Sequence, residues 1–214
     1  MAQAEDTESA ATEVAPNPEV TPRAARRQMR DFLRVHEQRR RQLPRALLVG
    51  LLAGLVAVGF QFMLVQADGL RDRLVLFSYD VGWWGFLLPM GFGAVGVSFA
   101  LVLVSVVEPD AAGSGIPHLK AVLHHLRGFR WQRILPVKFF GGIAAIGSGL
   151  ALGREGPTIQ MGGAIGQMVS RWFKSTPRES QTLMAAGAGA GLSAAFNAPL
   201  AGLVFVLEEV QRDF

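Results

Sequence analysis

The chain carries the sequence GREGP at residues 153–157, between two apolar stretches, and the related sequence GSGIP at residues 113–117. Both begin with glycine, end with proline and precede a plausible helix. Proline at a first helical position loses no hydrogen bond, and glycine lets backbone amides approach a ligand closely. Two helix N-termini that interrupt an apolar sequence direct positive dipole ends and free N–H groups at one place. Because lipid tolerates such breaks only around a polar site, the pair predicts an anion site inside a membrane.

The composition is that of a helical membrane protein. The chain has 214 residues, half of them apolar, and a mean hydropathy of +0.29. Its 25 glycines favour closely packed and broken helices. The sequence contains no cysteine, which excludes a disulfide framework and any thiolate metal site. We therefore expect an all-α, polytopic transmembrane fold with short broken helices.

Most of the excess positive charge precedes the first apolar run. Residues 1–22 are rich in Ala, Glu, Thr and Pro and predict a disordered tail, without the regions of a cleaved signal peptide. Residues 23–44 predict a basic amphipathic segment on the cytoplasmic membrane surface that ends near Pro44, and residues 45–214 predict the transmembrane region. The positive-inside rule explains the arginines better than RNA or DNA contact does, and contact with lipid headgroups is compatible with it. They are Arg23, Arg26, Arg27, Arg30, Arg34, Arg39, Arg40, Arg41 and Arg45.

Two long apolar runs predict membrane-spanning helices. Residues 46–67 are uncharged and long enough, at about 1.5 Å per residue, to cross a hydrocarbon core of about 30 Å. We expect a charge-balanced turn at residues 68–73 and a second run from residue 81 to residue 107. Trp83 and Trp84, at the start of that run, suit either an interfacial belt or core packing. Shorter helices interrupted by Gly and Pro, typical of a transport site, are predicted at residues 117–127, 136–152, 157–173, 180–196 and 199–210.

Four ordered motifs resemble those of the CLC chloride channels and proton/chloride antiporters, and the bacterial members look most similar. GSGIP at residues 113–117 is followed by PVKFF at 136–140, GREGP at 153–157 and AFNAPLAG at 195–202. The resemblance covers residues 45–214 and implies the first part of an inverted-repeat membrane domain. It also implies chloride and protons as the transported species, no cofactor, no nucleic-acid partner, and a homodimer for the full-length family.

The resemblance assigns an anion site to the first and third motifs. In the family, the serine of GSGIP offers its hydroxyl to the central chloride, and Ser114 occupies that place. Relatives with proline there resemble nitrate carriers, and the fluoride-selective branch also departs from this motif, so chloride is favoured. The alternative role for this serine is a helix N-cap. The residues expected at the site are Gly113, Ser114, Gly115, Ile116, Arg154, Glu155 and Gly156, with Arg154 shaping the local potential.

Two glutamates are candidates for gating and proton transfer. Glu155 is an ionisable group in an apolar region at a helix N-terminus, so its carboxylate and chloride compete for the same amides, and protonation releases the side chain. In the family this glutamate is the external gate and proton acceptor; the alternative is a capping carboxylate. Glu209 resembles the internal proton-transfer residue of the antiporters. Its pairing with Glu208 also suits a solvated helix end.

Lys138 interrupts an otherwise apolar helix. The family carries a buried lysine in this motif, which adds positive potential for anions; the alternative is a lysine that extends to the membrane interface. The histidines at positions 118, 124 and 125 have no cysteine partners and no HExxH frame, so we expect no metal site. His118 follows the serine motif directly, where it can influence a pH response, although the resemblance assigns it no role.

The sequence therefore predicts transmembrane chloride transport, most simply H+/Cl− antiport, by a multi-pass protein of the inner membrane with a cytoplasmic N-terminus. A GxFxP motif and a tyrosine that complete the family's anion site have no counterpart here, so we expect a fragment, a frameshift product or one part of a split protein. The alternative is a non-conducting membrane fragment or an assembly partner of a separately encoded second half. An intramembrane enzyme is less favoured, since Glu155 has no catalytic partner in the sequence.

Overall fold

The computed structural model describes the backbone of residues 22–210 and the side chains of residues 42–208. The chain divides into two units, Met1–Arg41 and Gln42–Phe214. In the first unit the described backbone is helical from residue 22, while the predicted disordered tail lies, up to residue 21, outside the described residues. The second unit contains the candidate site.

All regular secondary structure between residues 22 and 210 is helical, with no strand in this described range, which confirms the all-α prediction. In chain order the elements are α1 (Pro22–Asp80), a 3-10 turn (Trp83–Phe86), α2 (Leu87–Val102), a π-helical segment (Leu103–Val107), a 3-10 turn (Pro109–Ala111), α3 (Ile116–Leu123), α4 (Trp131–Gly147), α5 (Glu155–Trp172), α6 (Pro177–Phe196), α7 (Pro199–Phe205) and a final π-helical segment (Val206–Val210).

The predicted turn at residues 68–73 is wrong, because α1 continues to Asp80. Arg71 pairs with Asp68 at 3.0 Å and with Asp72 at 3.1 Å, so the charges that indicated a turn neutralise one another along the helix. The chain turns instead at Gly82, whose φ of +89° suits glycine. The predicted helix end near Pro44 is also wrong, since an internal proline removes one hydrogen bond without having to end a helix.

Within the described residues, two stretches are long and apolar enough to cross a membrane, by length and composition: Gln42–Asp80 and Trp83–Val107. The second agrees with the predicted run from residue 81 to residue 107, and Pro89 occupies the third position of α2. Trp83 and Trp84 are exposed and contact each other, with ring centroids 4.1 Å apart. Core packing does not therefore account for the two tryptophans.

The shorter predicted helices all exist, with shifted boundaries. α4 begins five residues before Pro136, at Trp131, and ends at Gly147, before Gly149 reverses the chain with a φ of +104°. α6 begins at Pro177 because Thr176 and Glu179 form a capping box. That box was the sequence signal for an earlier start than residue 180.

The centre of the second unit is the contact between α5 and α6. A Cβ on Gly162 would collide with the backbone carbonyl of Gly187, and a Cβ on Gly166 with that of Leu183. Helices approach this closely only where small residues face each other. The contact agrees with the expectation that the many glycines of this chain allow closely packed helices, and it holds α5 in place.

Candidate functional site

The N-termini of α3 and α5 meet, as the two glycine–proline motifs predict. Gly115 is the N-cap of α3, with a φ of +80°, and α5 begins at Glu155. A Cβ on Gly156 would lie 2.6 Å from the carbonyl oxygen of Ser114 and 2.9 Å from its Cα, so only glycine allows the two segments to touch. The first amides of both helices have no intrahelical partner, and both sets of N–H groups therefore lie in one region.

A cavity of about 640 Å³ adjoins these helix starts. Its remaining wall comes from α2, α4 and the π-helical segment between residues 103 and 107, and is mostly aliphatic. A hydroxyl, an ammonium and a carboxylate are the polar side chains of its described lining. The predicted residues that share this cavity are Gly113, Ser114, Ile116, Lys138, Glu155 and Gly156.

Lys138 is buried, with 6% of its surface exposed, and lies inside the protein rather than at its surface. Its Nζ donates a hydrogen bond of 2.5 Å to the carbonyl oxygen of Gly113. A buried polar group is stable only when it has such a partner. The bond ties α4 to the start of the serine motif and brings a positive charge to the wall of the cavity, where it attracts an anion.

The two helices that begin at the cavity, α3 and α5, have no hydrogen bond from a capping side chain at their N-termini. Gly115, rather than Ser114, is the N-cap of α3, and Arg154 is the N-cap of α5. The alternative roles of Ser114 and Glu155 as capping side chains are therefore not found in this structure. Both side chains are available to the cavity, and Glu155 is partly buried.

Two predicted site residues do not line the cavity. Gly115 is buried behind the loop, against the side chain of Gln160, and Arg154 is exposed at the start of α5. An effect of Arg154 on chloride through its charge stays a prediction.

The glutamate pair lies at the other end of the described chain. Glu208 is exposed and lines a second, open cavity of about 580 Å³ with residues of α7 and with Ile116. The backbone of Glu209 belongs to the final π-helical segment, but its side chain lies outside the described residues. Proton transfer by Glu209 stays a prediction from the resemblance.

Sequence reasoning missed two buried polar side chains close to the serine motif in sequence or space. Glu108 is fully buried and pairs with Nε of Arg130 at 3.3 Å. Gln160 is fully buried one and a half turns after Glu155, and its Nε2 donates to the carbonyl of Asp110 at 3.0 Å. Glu108 comes directly after the apolar run of residues 81–107, where a charge is compatible either with the end of a membrane span or with a buried ion pair. The polar position of Gln160 in an apolar helix was the available signal for it.

The arrangement of helix starts, hydroxyl, lysine and glutamate occurs in a stretch that a family model for voltage gated chloride channels matches over residues 96–214. The chain belongs to this family. The match includes all four motifs and both glutamates, and it begins within α2. Membership of a family of chloride channels, together with two described helices long and apolar enough to cross a membrane, makes the chain an integral membrane protein.

Transporters with assigned activities are similar in sequence to most of this chain. The H(+)/Cl(-) exchange transporter ClcA of Vibrio vulnificus strain YJ016 is 46% identical over 175 residues, which are 79% of this chain and 36% of the relative. The ClcA transporter of Cronobacter sakazakii is 45% identical over 170 residues, with the same coverage. The chain thus spans about a third of the length of these curated relatives.

A solved structure has the same fold. The crystal structure of a slow cyanobacterial Cl-/H+ antiporter superposes with a TM-score of 0.77 and 40% sequence identity, over 79% of this chain and 40% of the other. The likeness shows that the described helices follow a CLC antiporter fold and that the polytopic membrane architecture predicted from the sequence is correct.

Proposed function

We propose that this chain provides part of the chloride pathway of a proton-coupled chloride exchanger. Ser114 and the amides of the two helix starts bind the anion, and Glu155 is the gate that competes with it. Glu209 passes protons to and from the opposite side. Chloride and protons are therefore the ions that move, and no enzymatic reaction or cofactor is required.

The observation that supports this proposal best is the convergence of four chemical groups on one mostly aliphatic cavity. Free amides, a hydroxyl and a buried ammonium replace part of a chloride ion's hydration shell, while the apolar wall excludes competing water. Glu155 begins α5 at the same wall. A carboxylate in that position occupies the anion's place when it is charged and leaves it when it is protonated, which links proton binding to chloride movement.

The resemblance also supports a place in the cell and a partner. We assign the chain to the inner membrane as a multi-pass protein, with the arginine-rich N-terminus cytoplasmic because of the positive-inside rule. We assign a homodimer to the assembled transporter. Contact with nucleic acid is not part of the proposal, since the arginines precede a membrane span.

The test uses a chimaera in which residues 45–214 replace the matching part of the Vibrio vulnificus ClcA transporter, which supplies the rest of its length. Chloride and proton fluxes are recorded together in liposomes. We expect coupled flux from the chimaera. Glu155→Gln will keep chloride movement and lose proton coupling, because the amide resembles the protonated carboxyl but carries no proton.

Glu209→Gln in the same chimaera will keep chloride movement and stop proton flux, because the residue lies off the anion route. Glu208→Gln is the matched control, and we expect it to keep both fluxes. The 214-residue chain alone serves as the second control and will give no flux, because two helix ends and one hydroxyl do not replace a full hydration shell. Unchanged proton coupling in Glu155→Gln would remove the gate from the proposal, and unchanged coupling in Glu209→Gln would make that residue a solvated helix end.

A further inference from the structure

Gln160 supports the anion loop, the segment at residues 112–115 that carries Ser114. Its side chain is fully buried on α5, and its Nε2 donates to the carbonyl oxygen of Asp110 at 3.0 Å and contacts Nδ1 of His118 at 3.1 Å. A Cβ on Gly115 would lie 2.5 Å from Oε1 of Gln160. The amide therefore touches the loop that carries Ser114, and it links the residues before and after that loop.

These contacts define the protonation state of His118. A backbone carbonyl only accepts hydrogen bonds, so the amide nitrogen of Gln160 must face Asp110. The same nitrogen then donates its second hydrogen to Nδ1 of His118, which must carry no proton. The ring proton is on Nε2, which lies 3.3 Å from the carbonyl oxygen of Gly128. The contacts described here thus belong to a neutral imidazole.

The ring of His118 lies near a carboxylate that is itself paired with a guanidinium. Nε2 of His118 is 3.7 Å from Oδ2 of Asp110, whose Oδ1 pairs with Arg127 at 3.1 Å. The ring stacks on Phe129 at 5.3 Å between centroids, and only 8% of the side chain is exposed. Both hydrogens of the Gln160 amide are bonded only when Nδ1 of the ring carries no proton.

We propose that Gln160 is a positioning residue for the anion loop, and that a proton on His118 breaks the hydrogen bond through which Gln160 holds this loop. The inference rests on the proposed function, in which this loop binds chloride. A proton on Nδ1 makes the ring a donor there, so the amide must turn to offer Oε1, which has no hydrogen-bond partner in this structure. The carbonyl of Asp110 then loses its donor, the loop loses a link to α5, and this loop binds chloride more weakly than it does beside a neutral ring.

The first test does not depend on transport. In the ¹⁵N-histidine spectrum of the 214-residue chain in lipid nanodiscs, the signal that disappears in His118→Asn belongs to His118. We expect the tautomer with the proton on Nε2. In a second sample labelled with ¹⁵N-glutamine, the side-chain amide signals that disappear in Gln160→Met will shift on acidification together with those of the ring. A proton on Nδ1 of the neutral ring, or an amide that ignores the titration, would overturn the proposal.

The second test measures the apparent chloride affinity of the chimaera against pH. Between about pH 8 and about pH 5, the affinity will fall about five-fold more than in His118→Asn, as expected for one lost hydrogen bond. Asn keeps an acceptor for Gln160 but does not take up the proton. Gln160→Met keeps the volume of the side chain but removes the amide. We expect this variant to have, at every pH, the weak chloride affinity that the unmodified chimaera has in acid.

His125→Asn is the matched control. His125 also contacts a glutamine amide, with its Nε2 2.8 Å from Nε2 of Gln181, and its φ of +58° is one that Asn tolerates. We expect this variant to keep the pH profile of the unmodified chimaera. A chimaera that moves no chloride would contradict the proposed function and leave the spectroscopic test to decide the inference. A conducting chimaera with the same profile as His118→Asn would refute the inference alone.

Discussion

The middle and the N-terminal turn of α5 pack in opposite ways. In the middle, Gly162 and Gly166 lie against the backbone of α6, with no room for a methyl group. At the N-terminus, Glu155 and its neighbours face a cavity of about 640 Å³. One helix thus has a tightly packed centre and an open end.

The packed centre of α5 holds the site in position, and its open end is where the proposed ion binds. Free amides at a helix start are useful only if the helix does not move, because an ion site misplaced by about 1 Å loses much of its binding. Backbone contact through glycine gives α5 that fixed position without any polar group. The open end is then free to carry charged and polar side chains.

Adding one methyl group in the packed centre will have the largest effect. Gly162→Ala places a Cβ against the carbonyl of Gly187, so the helices must separate. Overpacking of this kind costs about 1–3 kcal/mol, and we expect a lower unfolding temperature and aggregated protein in detergent. Gly54→Ala is the control, since a Cβ at Gly54 meets nothing within 4 Å. Equal stability of the two variants would mean that α5 and α6 are less closely packed than described.

A methyl group added at the open end will lower the chloride affinity more than it lowers the stability of the fold. In Gly156→Ala the Cβ displaces the backbone of Ser114, which lies 2.6 Å away at its carbonyl oxygen. We expect a chloride affinity about 100-fold weaker in the chimaera, with only a small change in unfolding temperature. Gly93→Ala, whose Cβ would make an ordinary 3.5 Å contact with the carbonyl of Ser148, will change neither property. A parallel loss of stability in Gly156→Ala would place this glycine with the packed centre.

Removal of the lysine charge will have the smallest of these effects. Lys138→Met keeps the length of the side chain but leaves the Gly113 carbonyl without its donor. Charge-assisted hydrogen bonds contribute about 1.5–3 kcal/mol, so we expect a chloride affinity about tenfold weaker, measured in the chimaera by flux against chloride concentration. The exposed Lys174, changed to Met, is the control and will leave the affinity unchanged. An unchanged affinity in Lys138→Met would restrict that lysine to a structural role.

The sequence indicated the helix starts at the two glycine–proline motifs better than it indicated the turn after the first apolar run. Gly and Pro at residues 113–117 and 153–157 restrict the backbone locally, so the positions of α3 and α5 could be read directly. The predicted turn at residues 68–73 rested on charge alone. Charges that pair along one helix neutralise that signal, as Arg71 does with Asp68 and Asp72.

What the sequence by itself determined is the set of candidate groups: two helix N-termini, Ser114, Glu155 and a lysine in an apolar helix. Each is specified by local chemistry, which a linear pattern contains. The two motifs also indicated that the helix N-termini face one place, but only the tertiary structure decided how closely these groups approach, because the contact of Gly156 with Ser114 joins residues far apart in the chain. The same is true of the bond from Lys138 to Gly113 and of the contacts of Gln160 with Asp110 and His118. These distances depend on how α5 packs between its neighbours, and no local pattern contains that information.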